Sequence, residues 1–240
     1  MNVIDEVVII PKRFRGPPDS ANGGYACGVL ATRMSGDARV RLQSPPPLDA
    51  ELTITGDSSQ LWMRRGDTQI AEGTLADALT GEVPAPVSYD VASEATRHFP
   101  WFSGHPFSKC FVCGPDRHPG DGLCIFPGAV DGRNIVAAPW IPDASVCDRE
   151  DRVHPEVVWA SLDCPSWFGL LAFEQGVRWA LLGQMSARVL RRPAIDEKCV
   201  AIGWSRGRDG RKLFGSAALF TDAGELLGHS EAIWVELKNQ

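Results

Sequence analysis

Apolar residues along the chain fall into short runs and two-residue alternations, broken at close intervals by turn-forming residues. Glu6-Val-Val-Ile-Ile-Pro-Lys-Arg-Phe14 predicts a strand, and Gly16-Pro-Pro-Asp-Ser-Ala-Asn-Gly-Gly24 a loop rich in turns. Tyr25–Met34 is small and apolar almost all round. With Ser20 and Asn22 ahead of it as N-terminal signals, it predicts a buried helix. Ala38-Arg-Val-Arg-Leu42 alternates apolar with basic, as a half-buried strand does. A strand at Glu51–Thr55 follows, then a hairpin of Gln60–Arg64 and Thr68–Glu72. Pro84, Pro86, Pro100 and Pro106, with Gly81 and Gly104, interrupt regular structure between 80 and 108. The aromatics at Tyr89, Phe99, Trp101, Phe102 and Phe107 predict that this segment packs on the body of the protein.

The same order then recurs. Gly122–Phe126 and Asn134–Ala138 predict strands, and His154–Gly169 a helix with Pro155 in its first turn. Pro165 is expected to kink or end that helix. Strands are predicted near Val177–Leu190, Lys198–Trp204, Leu213–Thr221 and Leu226–Glu236, with a long hairpin loop over Arg206–Lys212. Pro46-Pro-Leu-Asp49 in the first half has a counterpart in Pro193-Ala-Ile-Asp196, and Gly66-Asp67 one in Gly224-Glu225. The 240 residues therefore read as two repeated units, 1–80 and 109–240, joined by 81–108.

Composition narrows the function classes. With 24 Lys+Arg against 30 Asp+Glu, a net charge of −6 and no basic block, the chain is poorly suited to a nucleic-acid backbone. Its apolar runs are too short to span a bilayer, and the acidic N-terminus lacks the pattern of an export signal. Seven cysteines, an odd count in such a chain, predict reduced thiols and a cytoplasmic location.

Cys110-Phe-Val-Cys-Gly-Pro-Asp116 followed by Gly122-Leu, and His154-Pro-Glu-Val-Val-Trp-Ala-Ser-Leu-Asp-Cys-Pro165, resemble the opening segment and central helix of hotdog-fold thioesterase-like proteins. The resemblance runs over nearly the whole chain. It implies an α+β fold, a tandem or double hotdog, in which each repeat is an antiparallel sheet wrapped around a long central helix. The fold also hosts dehydratases and proteins without known activity.

In the branch with His-Gly-Gly at the helix start, backbone amides hold the thioester carbonyl oxygen, and an acid on the facing helix attacks the carbonyl or activates water. Carried over to this chain, the motif divides. Asn22-Gly23-Gly24 stands at the glycine position, with Ala31 where the acid would be. His154-Pro155-Glu156 has lost both glycines but is followed by Asp163. The resemblance thus implies one composite site, with Asn22, Gly23 and Gly24 from the first repeat and Asp163 from the second. Tyr25, Trp159 and Ser166 are weaker substrate-binding candidates. The implied activity is hydrolysis of an acyl-CoA or other acyl thioester. Coenzyme A enters as part of the substrate, no separate cofactor or metal is expected, and assembly of the fused units into a homo-oligomer of pseudo-dimers is left open.

Bland alternatives stand beside this reading. Asp163 faces solvent or caps a helix restarting after Pro165, and Asn22-Gly23-Gly24 is a plain cap with a tight turn. Cys110-x2-Cys113-x4-His118-x5-Cys124 has near-knuckle spacing for zinc, against which Cys124 falls in a predicted strand. Arg191-Arg192 and Arg206–Lys212 either meet coenzyme A phosphates or are solvated. The eight Trp read as packing. A non-catalytic acyl-CoA or small-ligand binding protein, or a hydratase or dehydratase, are the alternative functions.

Overall fold

The computed structural model describes residues 3–77 and 79–237. Among the described residues, eleven strands form one sheet. Five come from the first part of the chain: β1 (Val3–Ile9), β2 (Ala38–Leu42), β3 (Glu51–Asp57), β4 (Gln60–Arg65) and β5 (Thr68–Leu75). Six come from the second: β6 (Gly128–Ala129), β7 (Val136–Trp140), β8 (Ala180–Val189), β9 (Cys199–Asp209), β10 (Lys212–Thr221) and β11 (Leu226–Glu236). Their order is β1-β3-β4-β5-β2-β8-β11-β10-β9-β7-β6, antiparallel throughout. Strands β2 and β8 join the two groups, with Val40 opposite Met185.

Helices α1 (Gly23–Ala31) and α3 (Pro155–Phe173) lie on this sheet, and α2 (Tyr89–Thr96) packs on β7. Both α1 and α3 are apolar nearly all round, because each touches the sheet on one side and the other helix on the other. α1 is buried from Gly24 to Ala31, and α3 from Val157 to Leu170. α1 packs on β2, β5 and β8, while α3 packs mainly on β9, β10 and β11. The helices run antiparallel. Gly24 lies against Trp159, Ala160 and Asp163, and Gly28 against Glu156 and Trp159. A Cβ on Gly24 would come within 2.6 Å of Asp163 Cβ and 2.8 Å of the Trp159 carbonyl oxygen, so only glycine permits this approach.

Several expectations change. Pro165 does not end α3, which continues to Phe173. Proline inside a helix costs about 3 kcal/mol, and each of the buried side chains Leu162, Trp167, Phe168 and Leu170 returns about 1.5–3 kcal/mol. The segment 80–108 is not free of regular structure, since Ser88 caps α2 by accepting a hydrogen bond from the Val91 amide. Gly122–Phe126 is not a strand. Leu123 and Ile125 donate to the carbonyls of Phe111 and Val112 at 2.8 and 2.9 Å, while Cys124 between them takes a φ of 54°. The long loop over Arg206–Lys212 is mostly strand, because β9 and β10 extend until only Gly210 and Arg211 are left to turn between them.

Candidate active site

The start of α1 is built by Asn22. Its side-chain oxygen accepts from the Tyr25 amide at 2.9 Å, an N-cap. Its Nδ2 donates to Asp163 Oδ2 at 2.7 Å, and the Gly24 amide donates to the same oxygen at 2.9 Å. Asparagine suits the position because one side chain must both accept and donate; aspartate would only accept. Gly23 lines the adjoining cavity, and its amide has no acceptor among the described residues.

Asp163 is 2% exposed and faces this turn from the middle of α3. Burial pushes its carboxyl up to about 7. The Gly24 amide opposes that shift, negative charge on Cys110 adds to it, and Asn22 opposes it further. Asp163 Oδ1 is buried and has no hydrogen-bond partner. A carboxylate with one oxygen anchored and the other unpaired, beside a free helix-start amide, has the parts of a proton acceptor next to an oxyanion site.

Asn22, Gly23 and Asp163 line a cavity of about 320 Å³. Most of its wall is apolar and aromatic. Trp101, Trp167, Trp179 and Trp234 converge there, with Trp101 and Trp179 stacked at 5.1 Å and Trp167 against Trp234 at 5.2 Å. Cys110, Cys113 and Cys164 line another part of the wall, with their three sulfurs within 4.8 Å of one another. His105 Nε2 is 3.5 Å from Cys113 Sγ, and burial holds its pKa below the ordinary value.

The structure therefore brings together Asn22, Gly23, Gly24 and Asp163, and Asp163 neither faces solvent nor caps a restarted helix. It does not bring the weaker candidates to the cavity. Tyr25 is stacked on Phe14 at 4.0 Å in the core, and Trp159 is buried against Gly28. The Ser166 hydroxyl donates to the Asp163 carbonyl and accepts from Trp234 Nε1, so both its roles are taken. His154 caps α3 without a side-chain bond.

The set Cys110, Cys113, His118 and Cys124, which has near-knuckle spacing in the sequence, is not brought together. His118 is bonded to Pro119 and Cys124 to Gly122, while Cys164 joins Cys110 and Cys113. The signal available for Cys164 was its place directly after Asp163 on the helix. The basic clusters are largely occupied by acids: Arg191 by Glu197 and Glu225, Arg192 by Asp148 and Glu150, Arg206 by Glu231 and Arg208 by Glu236. The convergence of four Trp on one cavity left no local pattern in the sequence.

No protein-family model and no curated protein sequence matches the chain. Solved structures do match. The tesB protein of Mycobacterium avium subsp. paratuberculosis aligns with a TM-score of 0.62 at 14% identity, covering 98% of this chain and 93% of that one. The acyl-CoA thioesterase II TesB2 of Mycobacterium marinum gives 0.62 at 10% identity over 98% and 94%. A conserved protein of unknown function with a hot dog fold from Alicyclobacillus acidocaldarius gives 0.57 at 10% identity over 98% and 94%. The chain has the hotdog fold. Among the described residues no helix is long and apolar enough to cross a membrane.

Proposed function

We propose that the protein hydrolyses an acyl-CoA or related acyl thioester at a single composite site between two fused hotdog units. The observation that carries this reading is the buried Asp163 carboxylate, anchored to the Asn22–Gly24 turn at the wall of an aromatic cavity with one oxygen unpaired.

The two-unit reading is supported by paired local features. Asp49 and Asp196 both take positive φ (50° and 60°) just ahead of β3 and β9. Ala21 donates to Pro46 and Val153 to Pro193, each from the residue before a helix cap. Asn22 donates to Phe14 and His154 to Val146, each acceptor ending a short 3-10 turn. The strand orders β2-β5-β4-β3-β1 and β8-β11-β10-β9-β7 correspond outward from the central seam. On this reading 1–80 and 109–240 are the units and 81–108 connects them.

The thioester carbonyl oxygen is placed at the Gly23 amide, where the helix dipole also favours negative charge. Asp163 acts on the carbonyl carbon, by taking a proton from an attacking water or by direct attack. Water adds, the carbon–sulfur bond breaks, and the products are the free acid and the thiol. The acyl group occupies the cavity walled by Trp101, Trp167, Trp179 and Trp234.

The test is Asp163→Ala across a panel of acyl-CoAs with thiol release as the readout. A fall of about 10²–10⁴-fold in kcat with little change in the melting curve is expected. Unchanged turnover sinks the assignment. Because the Gly24 amide is occupied by Asp163 and leaves one amide free, a non-catalytic acyl-CoA binding protein is the second reading. Tight binding by the wild type without thiol release over hours selects it.

A further inference from the structure

Cys110 and Cys113 sit in a tight turn, Cys110-Phe-Val-Cys-Gly114. Its closure is a hydrogen bond from the Gly114 amide to the Cys110 carbonyl at 3.0 Å. A Cβ at Gly114 would come within 2.5 Å of the Cys110 nitrogen and the Ser108 oxygen, so glycine is required for the turn to fold back this far. The turn is then pinned from its other side by the Leu123 and Ile125 amides. Its result is to aim two sulfurs at α3, where Cys164 supplies a third. All three are buried, and they are the one such group of thiol, imidazole and carboxylate donors among the described residues.

We propose that Cys110, Cys113 and Cys164 bind one zinc ion whose fourth coordination position opens into the cavity beside Asp163.

The spacing fits the ion. Tetrahedral zinc with sulfur ligands at about 2.3 Å places neighbouring sulfurs about 3.8 Å apart. Cys110 Sγ and Cys164 Sγ are 3.8 Å apart, and the third sulfur lies within 4.8 Å of both. Three thiolates are soft donors suited to zinc and poorly suited to magnesium or calcium.

His105 is excluded as the fourth ligand by its own hydrogen bonds. Its Nδ1 accepts from the Phe107 amide at 2.9 Å, so the neutral ring carries its proton on Nε2. That Nε2–H points at Cys113 Sγ and acts as a donor to the thiolate. Three thiolates on a divalent ion leave one net negative charge. N–H groups lie beside it: His105 Nε2 at 3.5 Å from Cys113 and Asn22 Nδ2 at 4.0 Å from Cys164. With three protein ligands all on the cavity wall, the remaining position is left for water or for the sulfur of a thiol ligand, the arrangement of an open zinc site.

The experiment uses the full chain, reduced and stripped with a chelator, then titrated with Zn²⁺ and separately with Co²⁺. Expected are one equivalent of zinc retained per chain after desalting and intense thiolate-to-cobalt charge-transfer absorption, abolished by added zinc. Cys110→Ser, Cys113→Ser and Cys164→Ser each lose stoichiometric retention and weaken the absorption. Cys27→Ser and Cys199→Ser keep both. His105→Phe keeps the ligands and weakens affinity by about 10–100-fold.

Should a serine variant fail to fold, mass mapping of alkylated wild type decides the matter, since zinc must protect Cys110, Cys113 and Cys164 selectively. The proposal is overturned by less than about one tenth of an equivalent of zinc, by cobalt spectra indifferent to the three cysteines, by unprotected thiols, or by a Cys110–Cys164 disulfide in the purified protein. Asp163→Asn separates this proposal from the hydrolytic reading, because it removes turnover while leaving the cobalt absorption in place.

Discussion

The starts of α1 and α3 are built from different chemistry. At α1, a side chain caps the helix, two glycines follow, and a carboxylate from the other helix accepts from Asn22 Nδ2 and the Gly24 amide. At α3, His154 makes no side-chain cap, Pro155 has no N–H to offer, and Glu156 is packed against Gly28. Ala31 of α1 offers no carboxylate in return. The difference teaches that a helix start becomes a site only when free amides, close backbone approach and a facing acid coincide. Two helices of similar burial satisfy that condition at one end of their contact and not at the other.

The sharpest way to break this comparison is to add a methyl group on each side of it. Gly24→Ala drives a Cβ into Asp163 and Trp159, and Gly28→Ala drives one into Glu156 and Trp159 with the same 2.6 Å closest approach. Both are expected to lose about 1–3 kcal/mol in denaturant titrations. Only Gly24→Ala is expected to lower kcat as well, by about 10²-fold, because it displaces the carboxylate. Equal kcat losses in the two variants remove the functional distinction between the helix ends.

A smaller effect compares the caps themselves. Asn22→Ala deletes the bond to the Tyr25 amide and one of the two donors to Asp163, at an expected cost of about 0.5–2 kcal/mol in stability. His154→Ala has no cap bond to lose and should stay within about 0.5 kcal/mol of wild type. Thermal unfolding of the pair checks this.

The smallest effect concerns the loop that leads into α3. Hydrogen bonds from the Arg192 side chain and from the Glu150 and Arg152 amides hold the Asp148 carboxyl down at about 2. The stabilisation from such a depressed group is present above the unfolded value, about 4, and disappears as pH falls towards 2. Asp148→Asn should therefore lower the melting temperature slightly at pH 5–7, and the gap to wild type should close below pH 4. A gap that persists at pH 2 removes the ionic explanation for that loop.

Legibility in the sequence followed the range of the interactions. Strands such as Ala38–Leu42 and the cap at Asn22 were readable because alternation and capping act over a few residues. Pro165 does not end its helix: its local penalty is visible in the sequence, while the burial that lets α3 continue is not. Gly122–Phe126 looked like a strand by composition. It became a pinned irregular segment because its amides found the Cys110–Gly114 turn instead of a sheet edge. The weaker candidates Tyr25, Trp159 and Ser166 stand three or four residues from Asn22 or Asp163, a spacing that shares a helix face, yet Tyr25 is stacked on Phe14, Trp159 packs on Gly28 and Ser166 is bonded to Trp234.

What the sequence determined by itself was the inventory: a chain of alternating and buried segments, a glycine-rich helix start in one part, and an acid in an apolar helix in the other. Tertiary structure decided which of these meet. The antiparallel approach of α1 and α3 put Asp163 on the Asn22 and Gly24 donors. The same packing swapped His118 and Cys124 for Cys164 beside Cys110 and Cys113, and turned four dispersed Trp towards one cavity. The physical reason is that a carboxylate, a thiol or an indole acquires its chemistry from burial and from partners far along the chain, and neither is encoded in local spacing.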